Sequence, residues 1–272
     1  IVYDDARKIR DYIDDDSVQV IITSPPYSDL RDYGKPGQIG LDQPYDKYLD
    51  DLDVVWRACH AVLKPSGSLW LNMGHQMIGG NMRYLGADCY HHLHEIGFKL
   101  KRVFYWYKRN YASGYHKRNL LQNFEPVYFF GKDPAKTKIF PDRAGFDDFT
   151  AWSGARLAHC SWNVIRKGGS LKAGRNNPHP APFPDELVER ILLLSSDEND
   201  VILDPFVGSG TTTKVARDMN RFGYGFELND EFYHVNRCRM ELNDDFTSLD
   251  GWIAKFDGNR KLGHETQRIK KA

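Results

Sequence analysis

Cysteine is scarce in this 272-residue chain. The four that occur, Cys59, Cys89, Cys160 and Cys238, lie far apart and form no C-x-x-C pair. That spacing argues against a thiolate zinc site and predicts free, reduced thiols. His91, His92 and His94 cluster, but no thiolate or carboxylate motif accompanies them. They read as the outer face and end of a helix, and no metal is expected. Long apolar runs are also missing; none approaches the ~20 residues of a membrane span. The start, Ile1 to Ile13, is too charged for a signal peptide. The expectation is a cytoplasmic protein with no membrane contact. Net charge is zero, with 37 basic and 37 acidic side chains. Their distribution is uneven, however. Acids outnumber bases 13 to 7 from Ile1 to His60, whereas Lys99 to Phe124 holds seven Lys/Arg and no acid. Phe149 to Pro184 holds five more and no acid. Local concentration of this kind is what a polyanion needs, although a solvated surface paired with the acidic third is also possible.

Hydrophobic residues make up 41% of the chain, enough for a sizeable core. Val18 to Thr23 is a β-branched run that reads as a buried parallel strand opening into Ser-Pro-Pro. Tyr45 to Leu63 has helical spacing and stops at Lys64-Pro65-Ser66-Gly67, a turn signal. Ser68 to Met73 is the next strand. Asp88 to Ile96 reads as helix, and Lys101 to Tyr107 and Pro126 to Phe130 as strands. Pro184 to Leu194 is helical, followed by strand Asp200 to Asp204 and helix Thr211 to Met219. Strand Arg221 to Glu227 and helix Asp230 to Leu242 come next. Lys132 to Asn177 has weak periodicity, and an irregular stretch of that length usually serves a function.

The run Asp204-Pro205-Phe206-Val207-Gly208-Ser209-Gly210-Thr211-Thr212 follows a strand and opens a helix. Gly208 and Gly210 let the backbone approach a ligand, and the helix start offers free N–H groups. Glu227 stands 23 residues after Asp204, where an acid can hold ribose hydroxyls. Neither G-x-G-x-x-G nor G-K-[ST] is present, so a dinucleotide or P-loop ligand is disfavoured. A nucleoside cofactor without pyrophosphate fits better than an unliganded β–α turn.

Thr23-Ser24-Pro25-Pro26-Tyr27 closes the Val18 strand at its carboxyl end, where ligands bind in open α/β sheets. Two prolines remove two donors and leave acceptor carbonyls. Tyr27 offers a face for stacking. A plain strand terminator is the bland alternative.

Together, D-P-F-x-G-S-G-T-T and S-P-P-Y resemble motifs I and IV of the DNA amino-methyltransferases, which methylate cytosine N4 or adenine N6. The catalytic motif precedes the cofactor motif, which resembles the permuted beta order of that family. His179-Pro180-Ala181-Pro182-Phe183-Pro184 resembles the family's motif X. Asn110 and Glu125 fall in stretches like its W-x-K-x-N and E-P region. Asp4 and Asp5 resemble the acid near the cofactor adenine. The resemblance covers most of Val18 to Gly74 and Asn177 to Met240.

The resemblance implies a seven-stranded, Rossmann-like α/β fold with helices on both faces, an antiparallel strand 7 and a small inserted target-recognition region. It implies S-adenosyl-L-methionine as cofactor, held by Asp204, Phe206, Gly208, Ser209, Gly210, Thr211, Glu227, His179, Asp4 and Asp5. Ser24, Pro25, Pro26 and Tyr27 become the catalytic set. The acceptor amine shares its lone pair with the base ring, so acceptors must hold its N–H groups; in the family picture the Ser24 side chain and Pro25 carbonyl do so. No residue follows the Pro-Cys pattern of the ring-carbon cytosine methylases. The base must leave the duplex, with Tyr27 as stacking partner. The loop Ser28 to Gln43 is expected to close over it. Arg31, Lys108, Arg109, Lys117, Arg118, Arg166, Lys167, Lys172 and Arg175 are the candidate DNA contacts. Residues 1–131 and 178–245 form the catalytic domain, 132–177 the recognition insertion and 246–272 a tail. Double-stranded DNA is the expected partner, with a cognate restriction endonuclease possible and a monomeric or homodimeric state. Ser24 and the Phe183-Pro184 ending lean toward cytosine N4. Adenine N6, an RNA or protein substrate, and an inactive nucleic-acid-binding module stay open.

Overall fold

Val18–Thr23 forms β1, and all six of its residues are buried, as a strand covered on both faces must be. The computed structural model describes residues 1–30, 32, 34–78, 80–107, 123–144, 161–162, 184–232 and 236. Before β1 lie a 3-10 turn, Ala6–Lys8, and the short α1, Ile9–Tyr12. After it come α2 (Tyr45–Val62), β2 (Leu63–Asn72), β3 (Gln76–Ile78), β4 (Asn81–Arg83) and α3 (Leu85–Ile96). Then follow β5 (Lys99–Tyr107), β6 (Phe124–Gly131), β7 (Ser161–Trp162) and α4 (Asp185–Ser195). The chain continues through β8 (Val201–Asp204), α5 (Thr211–Asp218) and β9 (Phe222–Gly225).

Seven strands form one sheet in the order β7-β5-β6-β2-β1-β8-β9. β6 runs antiparallel to both neighbours, and the other pairings are parallel. This is the expected seven-stranded sheet with its one reversed strand. Val2 bridges Phe226 in parallel beyond β9 and brings the chain start to that edge.

Alternation along the strands builds two cores. Ile21, Leu69, Leu71, Tyr128 and Phe130 face the layer of α1, α2 and α3. Val20, Ile22, Trp70, Val127 and Phe129 face α4 and α5. In the second core Trp70 stacks on Phe129 at 4.4 Å and on Trp162 at 6.1 Å. Truncating such a residue costs about 3–5 kcal/mol.

Three details differ from the sequence reading. The helix does stop at Val62, but the chain does not turn there; β2 starts at once, and Pro65, Ser66 and Gly67 bulge where the register with β1 shifts. The carbonyls of Pro65, Ser66 and Gly67 take backbone N–H groups from Asp133, Lys138 and Lys132, so the bulge is itself paired. Second, β3 and β4 form a separate hairpin absent from the sequence reading, although the Gly79-Gly80 pair between them in sequence is a two-residue turn signal. Third, residues 132–144 lie along the sheet and α4. Phe140 N donates to the Leu194 carbonyl, and Lys138 and Arg143 pair with Asp197.

Candidate functional site

Ile21 pairs with Leu203, so the loops that follow β1 and β8 leave neighbouring parallel strand ends. From β1 the chain goes to β2 on one side, and from β8 to β9 on the other. Strand order therefore reverses between them, where a crevice opens in sheets of this type.

The first wall of the crevice is the loop after β8. Asp204 is buried and shapes it from within. One carboxylate oxygen accepts from Phe206 N at 3.1 Å, and the other from the Thr212 hydroxyl at 2.7 Å. Burial pushes its pKa up to about 6, against the pull of these hydrogen bonds. Gly210 caps α5 at φ 80° with no side-chain cap. A Cβ there would be strained by the positive φ and would lie a tight 3.0 Å from Asn236 Oδ1. Ser209 and Thr211 are buried beside it. Phe206 is half-buried with its ring 6.4 Å from that of Trp56, edge to face.

Glu227 follows β9 and points back at this loop. Its carboxylate accepts from Gly208 N at 2.9 Å and Asn229 N at 2.8 Å. Burial, helped by nearby Asp204, raises its pKa from 4.5 to about 7. The bridge from Val2 places Asp4 and Asp5 close by in sequence, yet both are engaged locally. Asp4 accepts from the Tyr12 hydroxyl at 2.7 Å and Lys8 Nζ at 2.8 Å. Burial works against its charge, but these bonds hold it below the usual carboxylate range. Asp5 caps the 3-10 turn through Arg7 N and grips the Arg7 guanidinium.

The second wall is the loop after β1. Ser24 is half-buried and Pro25 buried. The Tyr48 hydroxyl, from α2, donates to the Pro26 carbonyl at 2.8 Å. Among the described residues no backbone donor takes the Pro25 carbonyl. Gly74 N donates to the Tyr27 hydroxyl at 2.9 Å, and Gln76 Nε2 donates to Asp29 at 2.8 Å. Past Tyr27 the chain folds back so closely that a Cβ on Gly40 would lie 2.7 Å from Ser28 Cα. Lys35 then reaches Asp230 at 2.6 Å, and the Gly37 carbonyl accepts from Arg7 at 3.0 Å. The loop after the S-P-P-Y motif is thus tied to both the N-terminal turn and the Glu227 side of the crevice.

The structure therefore brings Ser24, Pro25, Pro26 and Tyr27 onto one wall and Asp204, Phe206, Gly208, Ser209, Gly210, Thr211 and Glu227 onto the other. Arg31, Lys108, Arg109, Lys117, Arg118, Arg166, Lys167, Lys172, Arg175 and His179 lie outside the described residues. Tyr48, Gly74 and Gln76 join the site although no motif points to them, and Lys35 lies in the Ser28 to Gln43 loop expected to close over the base. Tyr48 sits in a helical apolar stripe, and nothing in that stripe marks its hydroxyl.

A nucleoside cofactor suits this chemistry. The deep Glu227 carboxylate suits ribose hydroxyls, and the uncapped helix start offers N–H groups to acceptors.

A family model described as DNA methylase matches residues 18–237. The type II methyltransferase M.HpaI of Haemophilus parainfluenzae is 28% identical over 265 residues, covering 92% of this chain and 76% of its own. M.XycI of Xanthomonas campestris pv. cyanopsidis, another type II methyltransferase, is 29% identical over 266 residues, covering 87% of this chain and 86% of its own. Among solved structures, PvuII DNA methyltransferase (cytosine-N4-specific) superposes with a TM-score of 0.70 at 20% identity over 90% of each chain, a likeness of fold. A DNA modification methylase from Thermus thermophilus, TTHA0409, complexed with S-adenosyl-L-methionine, superposes with a TM-score of 0.63 at 25% identity, covering 89% of this chain and 94% of its own.

Proposed function

The chain belongs to the DNA methylase family, the S-adenosylmethionine-dependent amino-methyltransferases of DNA, and on that premise we propose that it methylates the N4 amino group of cytosine in duplex DNA. The observation that carries the reading is the meeting of the Ser24–Tyr27 acceptor loop and the Gly208–Glu227 wall at adjacent strand ends. Ser24 heads the motif, and Ser at that position is commoner among the family's cytosine-N4 enzymes than among its adenine-N6 enzymes.

When bound, the cofactor supplies a methyl group activated on a sulfonium. Glu227 is assigned to the ribose hydroxyls, with Gly208, Ser209, Gly210 and Thr211 giving close backbone approach. Phe206 separates the cofactor and target pockets. Asp204 acts through the loop it shapes, since both its oxygens are already engaged there. His179, Asp4 and Asp5 stay assigned to the rim of the same pocket. On the other wall the Ser24 hydroxyl and the Pro25 carbonyl accept the N–H groups of the target amine. That favours a tetrahedral nitrogen with a free lone pair and fixes in-line approach, a positioning effect of several kcal/mol. Tyr48 holds the neighbouring Pro26 carbonyl still. Tyr27 stacks on the extruded base, which costs a few kcal/mol to bring out of the duplex. Proton loss follows transfer, so no strong base is needed. Arg31, Lys108, Arg109, Lys117, Arg118, Arg166, Lys167, Lys172 and Arg175 are assigned to the DNA backbone, with 132–177 as the recognition region. Because the relatives are type II methyltransferases, a restriction endonuclease reading the same site is the natural companion.

The test uses purified protein, tritiated S-adenosylmethionine and genomic duplex DNA, with digestion to nucleosides and sequencing to map the site. Label on N4-methylcytosine supports the reading. Label on N6-methyladenine keeps the mechanism and replaces the base. Label that appears only with RNA or protein overturns the substrate assignment.

A further inference from the structure

Beyond Gln76, the β3–β4 hairpin is an exposed apolar feature that adjoins the target side of the crevice. Its strands have three residues each and, among the described residues, pair only with one another. An isolated two-stranded hairpin is marginal in water, yet this one displays Met77, Ile78 and Met82 at 51%, 40% and 57% exposure. Met77 and Met82 are direct cross-strand partners and so share a face. Gly80, near the tip, has open space around it.

The hairpin is continuous with the target-base wall. Gly74, two residues before it, holds the Tyr27 hydroxyl, and Gln76, its first residue, holds Asp29. Its charge also suits DNA: from Gly74 to Ala87 there is no acid, while His75 and Arg83 are basic types. The Arg83 guanidinium is pinned at the hairpin base, 3.8 Å over the Tyr45 ring. A stable pairing of two copies needs about 800 Å² per partner, and three half-exposed side chains offer only a fraction of that.

We propose that the β3–β4 hairpin is a wedge that enters the duplex beside the target, its Met77 and Met82 side chains on one face and Ile78 on the other filling space left when the base swings out. The inference rests on the base-extrusion step of the proposed function and holds for either base. Apolar side chains inserted between base steps are a general way to offset unstacking. Methionine suits the role, because its flexible thioether adapts to an irregular stacked surface.

The experiment compares the wild type with Met77→Ser/Met82→Ser and Ile78→Ser on two duplexes carrying the mapped site. In one the target base is paired; in the other it is mispaired and already loosened. The variants should keep cofactor affinity and lose at least about tenfold in kcat/KM on the paired duplex, with most of that loss recovered on the mispaired one. Equal loss on both duplexes would mean a scaffolding role and overturn the wedge, as would no loss on either. A change of oligomeric state by light scattering would reassign the surface to a contact between copies. If the wild type methylates neither duplex, the parent reading fails, and that is seen without any variant.

Discussion

The Tyr48 hydroxyl donates to the Pro26 carbonyl at 2.8 Å, which ties the first turn of α2 to the centre of the S-P-P-Y loop. Tyr48 is fully buried, and burial raises its hydroxyl pKa far above the usual range, so it remains a donor at any working pH. Tyr48→Phe leaves a carbonyl without its donor, at a cost of about 1–3 kcal/mol. The loop should then hold the acceptor amine less accurately. We expect lower single-turnover methylation with unchanged S-adenosylmethionine affinity, in the direction of Ser24→Ala but milder. Ser24→Ala itself should lose most turnover. If Tyr48→Phe weakened cofactor binding as much as turnover, the contact would not be acting through the loop.

Glu227 gives opposite pH trends for binding and stability. Its pKa is raised from 4.5 to about 7 by burial. A carboxyl raised on folding contributes stability below its unfolded value, and that contribution is lost as pH rises through the folded value. The cofactor-free wild type should therefore lose more melting temperature between pH 6 and pH 8 than Glu227→Gln, a comparison that cancels the opposite trend of His60, whose pKa is lowered by burial. Ribose hydroxyls, however, are best held by the ionised form. Cofactor affinity should tighten about tenfold between about pH 6 and about pH 8, since one pKa unit of protonation is removed there. Isothermal titration across that range checks this, and Glu227→Ala should bind weakly with a flat profile. A wild-type affinity independent of pH would remove Glu227 from the ribose.

Two glycines of the loop after Tyr27 separate conformation from contact. Gly34 and Gly40 both have positive φ, at 79° and 94°. A Cβ on Gly34 meets nothing within 4 Å, whereas one on Gly40 would lie 2.7 Å from Ser28 Cα. Gly34→Ala should cost only the backbone penalty of about 1–2 kcal/mol and leave turnover close to normal. Gly40→Ala adds a clash with backbone next to Tyr27, so turnover should fall with stability. Thermal melts and initial rates on the same pair of variants decide the matter. Similar rates for both would show that the fold-back does not place Tyr27.

Much of this frame is legible in the sequence because β-branched runs and Gly-rich turns are local signals. Val18–Thr23 matches its predicted strand residue for residue, and Glu227 follows its strand facing the loop it is assigned to. The illegible parts depend on partners distant in sequence. Nothing near Tyr48 says that its hydroxyl meets Pro26, 22 residues away. The Lys64–Gly67 run carries a turn signature, yet its carbonyls are taken up by residues 132–138, which hold the bulge inside β2. The β3–β4 hairpin is local and has Gly79-Gly80 between its strands in sequence, but three-residue strands are too short to show an alternating pattern. Asp4 and Asp5 match by position, but Lys8, Tyr12 and Arg7 within eight residues already occupy them.

Thr212 tests whether Asp204 holds the cofactor loop through a charged hydrogen bond. Its hydroxyl lies 2.7 Å from the buried carboxylate and steadies the ionised form, while Phe206 N takes the other oxygen. Thr212→Val keeps the shape and removes the donor. The Asp204 pKa, already near 6, should rise further, because the charged form loses a partner that burial had made important. At pH 8 the variant must bury an ionised oxygen without its donor, at a cost of about 1–3 kcal/mol or more. At pH 5 the carboxyl is mostly protonated in both proteins, and the difference should shrink. Urea denaturation at the two values gives the comparison. A larger loss at pH 8, together with weaker S-adenosylmethionine binding, means that the carboxylate fastens both ends of the loop in its charged state. Equal losses at the two pH values would mean that the hydroxyl acts as a neutral packing partner, and the loop would then owe its shape to Gly208 and Gly210 rather than to Asp204.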